Sequence, residues 1–374
     1  MSAQPGMASV KPADSARPPA GLTLPRLLPT TDAGLGAALA QRLALPTQPT
    51  QALGRLQTLL LQLVRIQSTK PPAFDRLALD APQLLVFAAD HGIADAGVSA
   101  FTQADSLQRV LHLLRGQAAV NALAALHGFD LTLVDAGLAA QLSRPHDALA
   151  QVSLLSRKIG HGSRNMLLSP AMSPQQAVAA LHAGMDVVRH LPGQVLALGS
   201  IGVGGSSCAA LLLSRLCGVP LADASNDCTD APAAHALAAE VQRKHKLKQL
   251  LKVARRHYHA VTAFDALAAM GGFEIAMMAG AMLQAGAERR VVLVDGFVAG
   301  AAALVAHGLC PAVCDYLVFA QRSVAPGHRL LLLHLQARPL LDLELHLGQG
   351  EGALLAWPLL QAAQRLLAQQ TPAG

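Results

Sequence analysis

The stretch from Leu196 to Ala210, LALGSIGVGGSSCAA, constrains the fold more than any other part of the chain. A short apolar run leads into a glycine-rich turn, and the turn leads into AALLLSRL, which suits a helix. This order predicts a strand, a tight turn and a helix start whose backbone N–H groups can bind an anion. An ordinary strand-to-helix turn is the alternative, because the glycine spacing fits neither the Walker pattern nor GxGxxG.

Further apolar runs of the same kind alternate with helical patterns through the middle of the chain. They are LLVFAAD after Gln83, LTLVDAG from Leu131, RVVLVD from Arg290 and LVFAQR from Leu317. Continuous apolar runs are typical of parallel strands that are buried on both faces. Helical periodicity predicts one helix from Asp105 to His127 and another from Ala266 to Ala287. We therefore predict an α/β fold, a doubly wound parallel sheet with a small helical domain built from N- and C-terminal segments.

The same patterns suggest domain boundaries. Residues 1–30 are rich in Pro, Ala and Ser and are predicted to be a disordered tail. Residues 31–80 should form N-terminal helices, and residues 81–335 a large Rossmann-like domain. Residues 336–374 should supply a C-terminal loop and a helix that complete the small domain with the N-terminal helices.

Composition argues against several classes of partner. Aromatic residues make up only 3% of the chain, and the excess of positive charge, +6, is scattered except in the run Arg243–Arg256, which reads as a helix with a solvated face. A nucleic-acid surface is therefore not expected. The five cysteines include no CxxC pair, which argues against a disulfide framework or a zinc ribbon. With no signal sequence or membrane span predicted, we expect a cytoplasmic protein.

Polar residues follow the predicted strands where ligands collect in open parallel sheets. Asp90 and His91 follow the first strand, Asp135 the second and Asp295 a later one. Each could serve acid/base chemistry, or each Asp could cap backbone N–H groups instead. No HExxH motif occurs, so neither a metal nor another cofactor is expected. The loop LGQGEGA contributes Glu351 as an ionisable group.

Several blocks in a fixed order resemble the nicotinate-nucleotide:dimethylbenzimidazole phosphoribosyltransferase family, over about residues 45–367. The blocks include FAADHGIADAGVSAF from Phe87, GSRNMLLSPAMS from Gly162, GGFEIAMMAGAML from Gly271 and VLVDGFVAGAAALVA from Val292. The resemblance implies transfer of phosphoribose from nicotinate mononucleotide to a benzimidazole, as in activation of the lower ligand of cobalamin. It also implies small-molecule substrates and a homodimer.

The resemblance also implies roles for individual residues. Substrate binding is predicted for Asp90, His91, Gly162, Ser163, Asn165, Ser200, Gly202, Gly204, Gly205, Ser206, Asp295, Gly348 and Gly350. The pocket for the aromatic base is matched by Ser99, Phe101 and Gln108, and a family lysine is matched by Lys244, which with Gln349 and Glu351 is a candidate catalytic residue. Two family glutamates are replaced here by Gln349 and Ser200, and neither an amide nor an unassisted hydroxyl can take a proton at neutral pH. Glu351 is the displaced carboxylate that could substitute.

Two hypotheses follow. The chain is either an active phosphoribosyltransferase for a lower-ligand base, or a weakened ligand-binding or partner subunit of the same fold, which could pair with a competent paralogue. The glycine-rich loops favour the first, and the missing glutamates favour the second. A dinucleotide-dependent oxidoreductase has little support, since no GxGxxG follows the first strand.

Overall fold

The structure is a computed structural model that describes residues 19–30, 33–42, 52–69, 76–225 and 236–369. Within these residues a sheet of six parallel strands has the order β3-β2-β1-β4-β5-β6. This is the doubly wound order, so the predicted α/β fold is confirmed. The strands are β1 (Gln83–Ala89), β2 (Asp130–Gly137), β3 (Val152–Ser156), β4 (Val195–Ile201), β5 (Val291–Val294) and β6 (Leu317–Phe319).

Helices cover both faces of the sheet, because side chains alternate along each strand and both sets are apolar. In β1, Leu84 and Val86 belong to one core and Leu85 and Phe87 to the other. The first core is covered by α1 (Ala33–Arg42), α2 (Arg55–Gln67), α3 (Gln103–Leu114), α4 (Ala119–His127) and α13 (Glu351–Gln369). The second is covered by α5 (Pro174–Arg189), α6 (Gly205–Cys217), α7 (Leu221–Ala224), α8 (Ala236–Arg256), α9 (Ala263–Met270), α10 (Phe273–Ala287), α11 (Gly296–Leu309) and α12 (Pro326–His334).

Two long predicted helices are each divided in the structure. The segment predicted as one helix from Asp105 to His127 breaks near Gly116, whose φ is +75°. The segment predicted from Ala266 to Ala287 breaks at Gly271 and Gly272, between α9 and α10. The strand β3 was not predicted, because its sequence VSLLS is short and mostly not buried, as is usual at a sheet edge.

The N-terminal residues that the structure describes correct part of the tail prediction. Residues 1–18 lie outside the described residues, but residues 19–30 lie against the fold. Leu22 is buried, the Tyr316 hydroxyl donates to Leu28 O at 2.7 Å, and Thr30 Oγ1 donates to Asp315 Oδ2 at 2.9 Å. A disordered tail therefore does not extend over this segment.

The terminal helices lie together on one face of the sheet. Helices α2 and α13 contact each other, and both share a core with side chains of β1 and β4. The division at residues 80/81 and 335/336 stays a prediction. In the described part of the chain, no helix is both long and apolar enough to cross a membrane.

Candidate active site

The glycine-rich turn lies where the strand order reverses, between β1 and β4, which is where ligands bind in this class of sheet. Strand β4 ends at Ile201 and α6 begins at Gly205, as the sequence predicted. Gly204 has a φ of +100°, which only glycine adopts easily. The amide of Val203 donates to Ser106 Oγ at 3.0 Å, so α3 holds the turn from the other side.

A second loop is paired with the end of β1. The amide of Ser163 donates to Asp90 O at 2.9 Å, and that of Gly92 donates to Ser163 O at 3.1 Å. Gly162 adjoins it, and Asn165 folds the loop by accepting from Leu167 N at 3.0 Å. The structure thus brings the predicted residues Gly162, Ser163 and Asn165 beside the Asp90–His91 segment.

The Asp90 side chain supports the backbone that follows β2. Its Oδ2 accepts from Ala139 N at 2.9 Å, and only 2% of the residue is exposed. Burial raises the pKa of Asp90 above its ordinary value, although hydrogen bonds from Ala139 and Ser106 partly oppose this. The contact is the one expected from a carboxylate that caps backbone N–H groups.

His91 lies at the centre of a buried cluster beneath the turn. Its Nε2 is 2.9 Å from Glu274 Oε1, and its Nδ1 is 3.3 Å from Cys208 Sγ. All three side chains are at most 1% exposed. Burial opposes the charged imidazole, but Cys208 and Glu274 hold the pKa of His91 well above its ordinary value.

The C-terminal loop covers the end of β4. The amide of Ser200 donates to Gly348 O at 2.9 Å, and a Cβ on Gly199 would overlap the backbone of Gln349. Gly350 has a φ of +109°, which lets the loop turn into α13. The positions of the two missing family glutamates, Ser200 and Gln349, are therefore adjacent in the structure.

Glu351 lies beneath this loop. Its Oε2 accepts from Gln349 N at 2.7 Å, and only 1% of the residue is exposed. Burial raises the pKa of Glu351, with hydrogen bonds from backbone amides opposing the shift. The carboxylate supports the loop from below.

Asp295, at the end of β5, fastens the same loop to the sheet. Its Oδ1 accepts from Gln321 Nε2 at 2.9 Å and its Oδ2 from Gly352 N at 3.0 Å. Burial, with a further contribution from the charge of Glu351, raises the pKa of Asp295 to about 7, while the hydrogen bond from Gln321 opposes the shift.

A cleft of about 250 Å³ opens at this edge of the sheet. Three serine hydroxyls, those of Ser200, Ser206 and Ser323, belong to residues that line it. Helices α6, α11 and α12 all begin beside it, and their N-termini place partial positive charge there. Within it, the hydroxyl of Ser323 is 2.9 Å from His328 Nδ1, which also accepts from Ser323 N at 3.1 Å. The lining residues are Ser200, Ser206, Asp295, Phe297, Val298, Ser323, Val324, Ala325, Leu345, His346, Leu347 and Gly348.

The residues predicted for the aromatic base lie at the surface beside the turn. Phe101 is 52% exposed and Gln108 is exposed, while Ser99 Oγ accepts from Phe101 N at 3.1 Å. The guanidinium carbon of Arg109 lies 4.8 Å from the centre of the Phe101 ring. Their role in binding stays a prediction.

Among the described residues, the ion pair recorded for Lys244 is with its own helix and not with a residue of the cleft. Its side chain is 76% exposed, and its Nζ lies 3.3 Å from Glu240 Oε1 on the same helix. Lys246, two residues further on, is the buried lysine of α8. The catalytic role of Lys244 stays a prediction, and the exposed position of its side chain does not favour it.

Sequence reasoning missed Glu274, Cys208 and Ser323. Glu274 was hidden because residues 266–287 were read as one helix, although the pair Gly271–Gly272 signals a break. That break places Glu274 in the first turn of α10 at the carboxyl edge of the sheet. Among the described residues, no group of three or more His, Cys, Asp or Glu side chains could hold a metal ion.

The fold and site define a doubly wound α/β protein with a ligand-sized cleft at the carboxyl edge of its sheet, beside β4 and β5. A sequence model of a family described as phosphoribosyltransferase matches residues 28–373. The chain is 44% identical over 345 residues to the nicotinate-nucleotide–dimethylbenzimidazole phosphoribosyltransferase of Variovorax paradoxus (strain S110), covering 92% of this chain and 94% of that protein. It is also 44% identical over 349 residues to the protein of that name from Cupriavidus necator, covering 92% and 95%.

A solved structure is also similar. The crystal structure of nicotinate-nucleotide–dimethylbenzimidazole phosphoribosyltransferase from Thermus thermophilus matches with a TM-score of 0.78 and 34% identity, covering 90% of this chain and 96% of that chain. The chain belongs to the nicotinate-nucleotide–dimethylbenzimidazole phosphoribosyltransferase family, and the resemblance drawn from the motifs is confirmed.

Proposed function

We propose that this chain transfers phosphoribose from nicotinate mononucleotide to 5,6-dimethylbenzimidazole or a related lower-ligand base in cobalamin biosynthesis. A ring nitrogen of the base attacks C1′ of the ribose, and the bond from C1′ to the pyridinium nitrogen breaks. The bonding electrons leave with nicotinate, and the azole proton is lost. The products are nicotinate and α-ribazole 5′-phosphate.

The cleft suits the donor in this reaction. The 5′-phosphate would lie at the start of α6, where Ser206 lines the cleft and the helix dipole favours an anion. The loop with Ser163 adjoins this position. The acceptor would enter from the side of Phe101 and Gln108, beside the turn.

One observation carries the mechanism: the amide of Ser200, which lines the cleft, donates to Gly348 O at 2.9 Å, so the loop that carries Gln349 lies against Ser200. The resemblance implies carboxylates at both positions, and this sequence has a hydroxyl and an amide instead. Because the pyridinium is already a good leaving group, alignment alone supports turnover, but without a general base the rate should be lower by about 10²–10⁴-fold. Glu351 supports the loop and does not line the cleft, so we do not assign it the proton.

The oligomeric state and location follow the resemblance and the composition. A homodimer is implied by the family, and a cytoplasmic location suits a chain whose described cysteines are free. Both are part of the proposal. Gel filtration with light scattering would give the oligomeric state directly.

The test is to mix the purified chain with nicotinate mononucleotide and 5,6-dimethylbenzimidazole and to follow nicotinate release and ribotide formation. Equal amounts of the two products support the proposal. Release that requires an added homologue would instead support the partner-subunit hypothesis. A panel of azoles and phenols in the same assay identifies the acceptor.

A further inference from the structure

The His91–Glu274 pair lies directly against the turn that we assign to the phosphate. A Cβ on Gly205 would be 3.6 Å from both Glu274 Oε1 and His91 Nε2, and one on Gly204 would be 2.9 Å from His91 Cβ. The backbone at the start of α6 therefore rests on this pair, with no side chain between them. The Cβ on Gly205 would also lie 3.5 Å from Cγ2 of Val298, which lines the cleft.

The pair also joins parts of the chain that are separate in sequence. His91 follows β1, Cys208 belongs to α6, and Glu274 stands in the first turn of α10. Cys208 Sγ lies 3.6 Å from Gly271 O, so the thiol can donate there while it accepts from His91 Nδ1. With Glu274 at Nε2, both ring nitrogens face acceptors. The titratable groups that face His91 are Glu274, Cys208 and Asp90.

A buried ion pair is a costly way to hold a fold together, because apolar residues of similar volume often stabilise as well or better. Its use is geometric, since a charge pair has one low-energy arrangement. Here the pair lies between the end of β1 and the start of α6.

We propose that His91 and Glu274 are positioning residues that set the affinity of the enzyme for its phosphorylated donor by holding the 202–205 turn, and that they leave the affinity for the aromatic acceptor unchanged. The inference rests on the proposed function. Neither residue touches substrate or exchanges a proton in the reaction.

The test is a double-mutant cycle with Glu274→Gln, His91→Gln and the double variant, using calorimetry to measure dissociation constants for nicotinate mononucleotide and for 5,6-dimethylbenzimidazole. Glu274→Gln should weaken donor binding roughly tenfold, the scale of a coupling between two sites, with acceptor binding unchanged. The double variant should bind the donor no worse than the weaker single variant, because the pair acts as a unit.

Glu288→Gln is the matched control. It makes the same change at the other end of α10, where Glu288 pairs with Arg290 at 2.7 Å, far along the helix from the turn. It should bind both ligands as the wild type does. If the Gln variants fail to fold, Cys208→Ser, which changes the second contact of His91, should still weaken donor binding selectively by a smaller factor.

The outcomes are distinct. If the wild type binds the donor and Glu274→Gln binds it equally well, the positioning role is refuted and the proposed function stands. Equal weakening of donor and acceptor binding would also refute it, since that result indicates general destabilisation. Additive effects of the two single variants in the cycle would refute it as well, since the two residues would then not act as a pair. If the wild type binds neither nicotinate mononucleotide nor inorganic phosphate, both proposals fail together.

Discussion

Replacing Asp295 by asparagine should change how the stability of the protein depends on pH. The pKa of Asp295 is raised from 3.8 to about 7, first by burial and then by the charge of Glu351. Between about pH 4 and pH 7 the folded protein therefore keeps a proton that the unfolded chain has lost. The contribution of Asp295 to folding stability must therefore fall as pH rises through this window.

The magnitude follows from the size of the shift. The two pKa values differ by about 3 units, and each unit corresponds to about 1.4 kcal/mol, so this group costs about 4 kcal/mol above pH 7. The asparagine side chain of the Asp295→Asn variant would stay uncharged at every pH. It would lose one of the two acceptors for Gln321 and Gly352, at a cost of about 1–2 kcal/mol.

The free energy of unfolding of the wild type and of Asp295→Asn can be compared by urea denaturation. The measurements would run from about pH 4.5 to about pH 8.5 in steps of about half a pH unit. The variant should be less stable than the wild type at low pH. Its free energy of unfolding relative to the wild type should increase by about 3–4 kcal/mol between the lowest and the highest pH. Asp186→Asn removes an exposed carboxylate on α5 and serves as control. Parallel curves for the wild type and Asp295→Asn would refute a buried, proton-binding Asp295.

Three further predictions concern the same edge of the sheet. Gln349→Glu should raise the rate of nicotinate release by about 10²-fold or more with an azole acceptor, because it restores a general base, and an unchanged rate would show that proton removal is not limiting. Gly199→Ala should displace the Gln349 backbone, cost about 1–3 kcal/mol in unfolding free energy and slow turnover; a crystal structure with an unmoved loop would contradict this. Burial lowers the pKa of His328 to about 4, so the contribution of His328 to stability should rise by about 3 kcal/mol between about pH 4 and 6.5, opposite in sign to that of Asp295, and His328→Gln should remove this contribution from the difference between wild-type and variant denaturation curves.

The fold could be predicted because the strands are short continuous apolar runs that end in polar or glycine residues. The run ending at Asp90 and the run ending at Asp295 both proved to be buried parallel strands. The edge strand β3 could not be found this way, since an edge strand needs fewer apolar residues and Val152–Ser156 is only partly buried. The pair Gly271–Gly272 was a local signal of the break between α9 and α10, but it was outweighed in the prediction by apolar and small residues that also suit one closely packed helix.

The loops of the candidate site could be predicted from glycines and motifs in the sequence, but the contacts between them could not. The turn at Gly202–Gly205 and the loop at Gly348–Gly350 were identified from composition and resemblance. The pairing of His91 with Glu274 and of Ser200 with Gly348 joins residues far apart in sequence, and only the strand order brings them together. A single sequence carries no local signal of such contacts.

A crystal structure of the protein with nicotinate mononucleotide bound would test most directly whether the cleft between β4, β5 and the C-terminal loop is where phosphoribose is transferred. We expect the phosphate at the start of α6 within hydrogen-bond distance of Ser206, with C1′ of the ribose facing Ser200 and Gly348. A ribotide bound elsewhere, or a cleft filled by residues 345–348 with the ligand excluded, would contradict it.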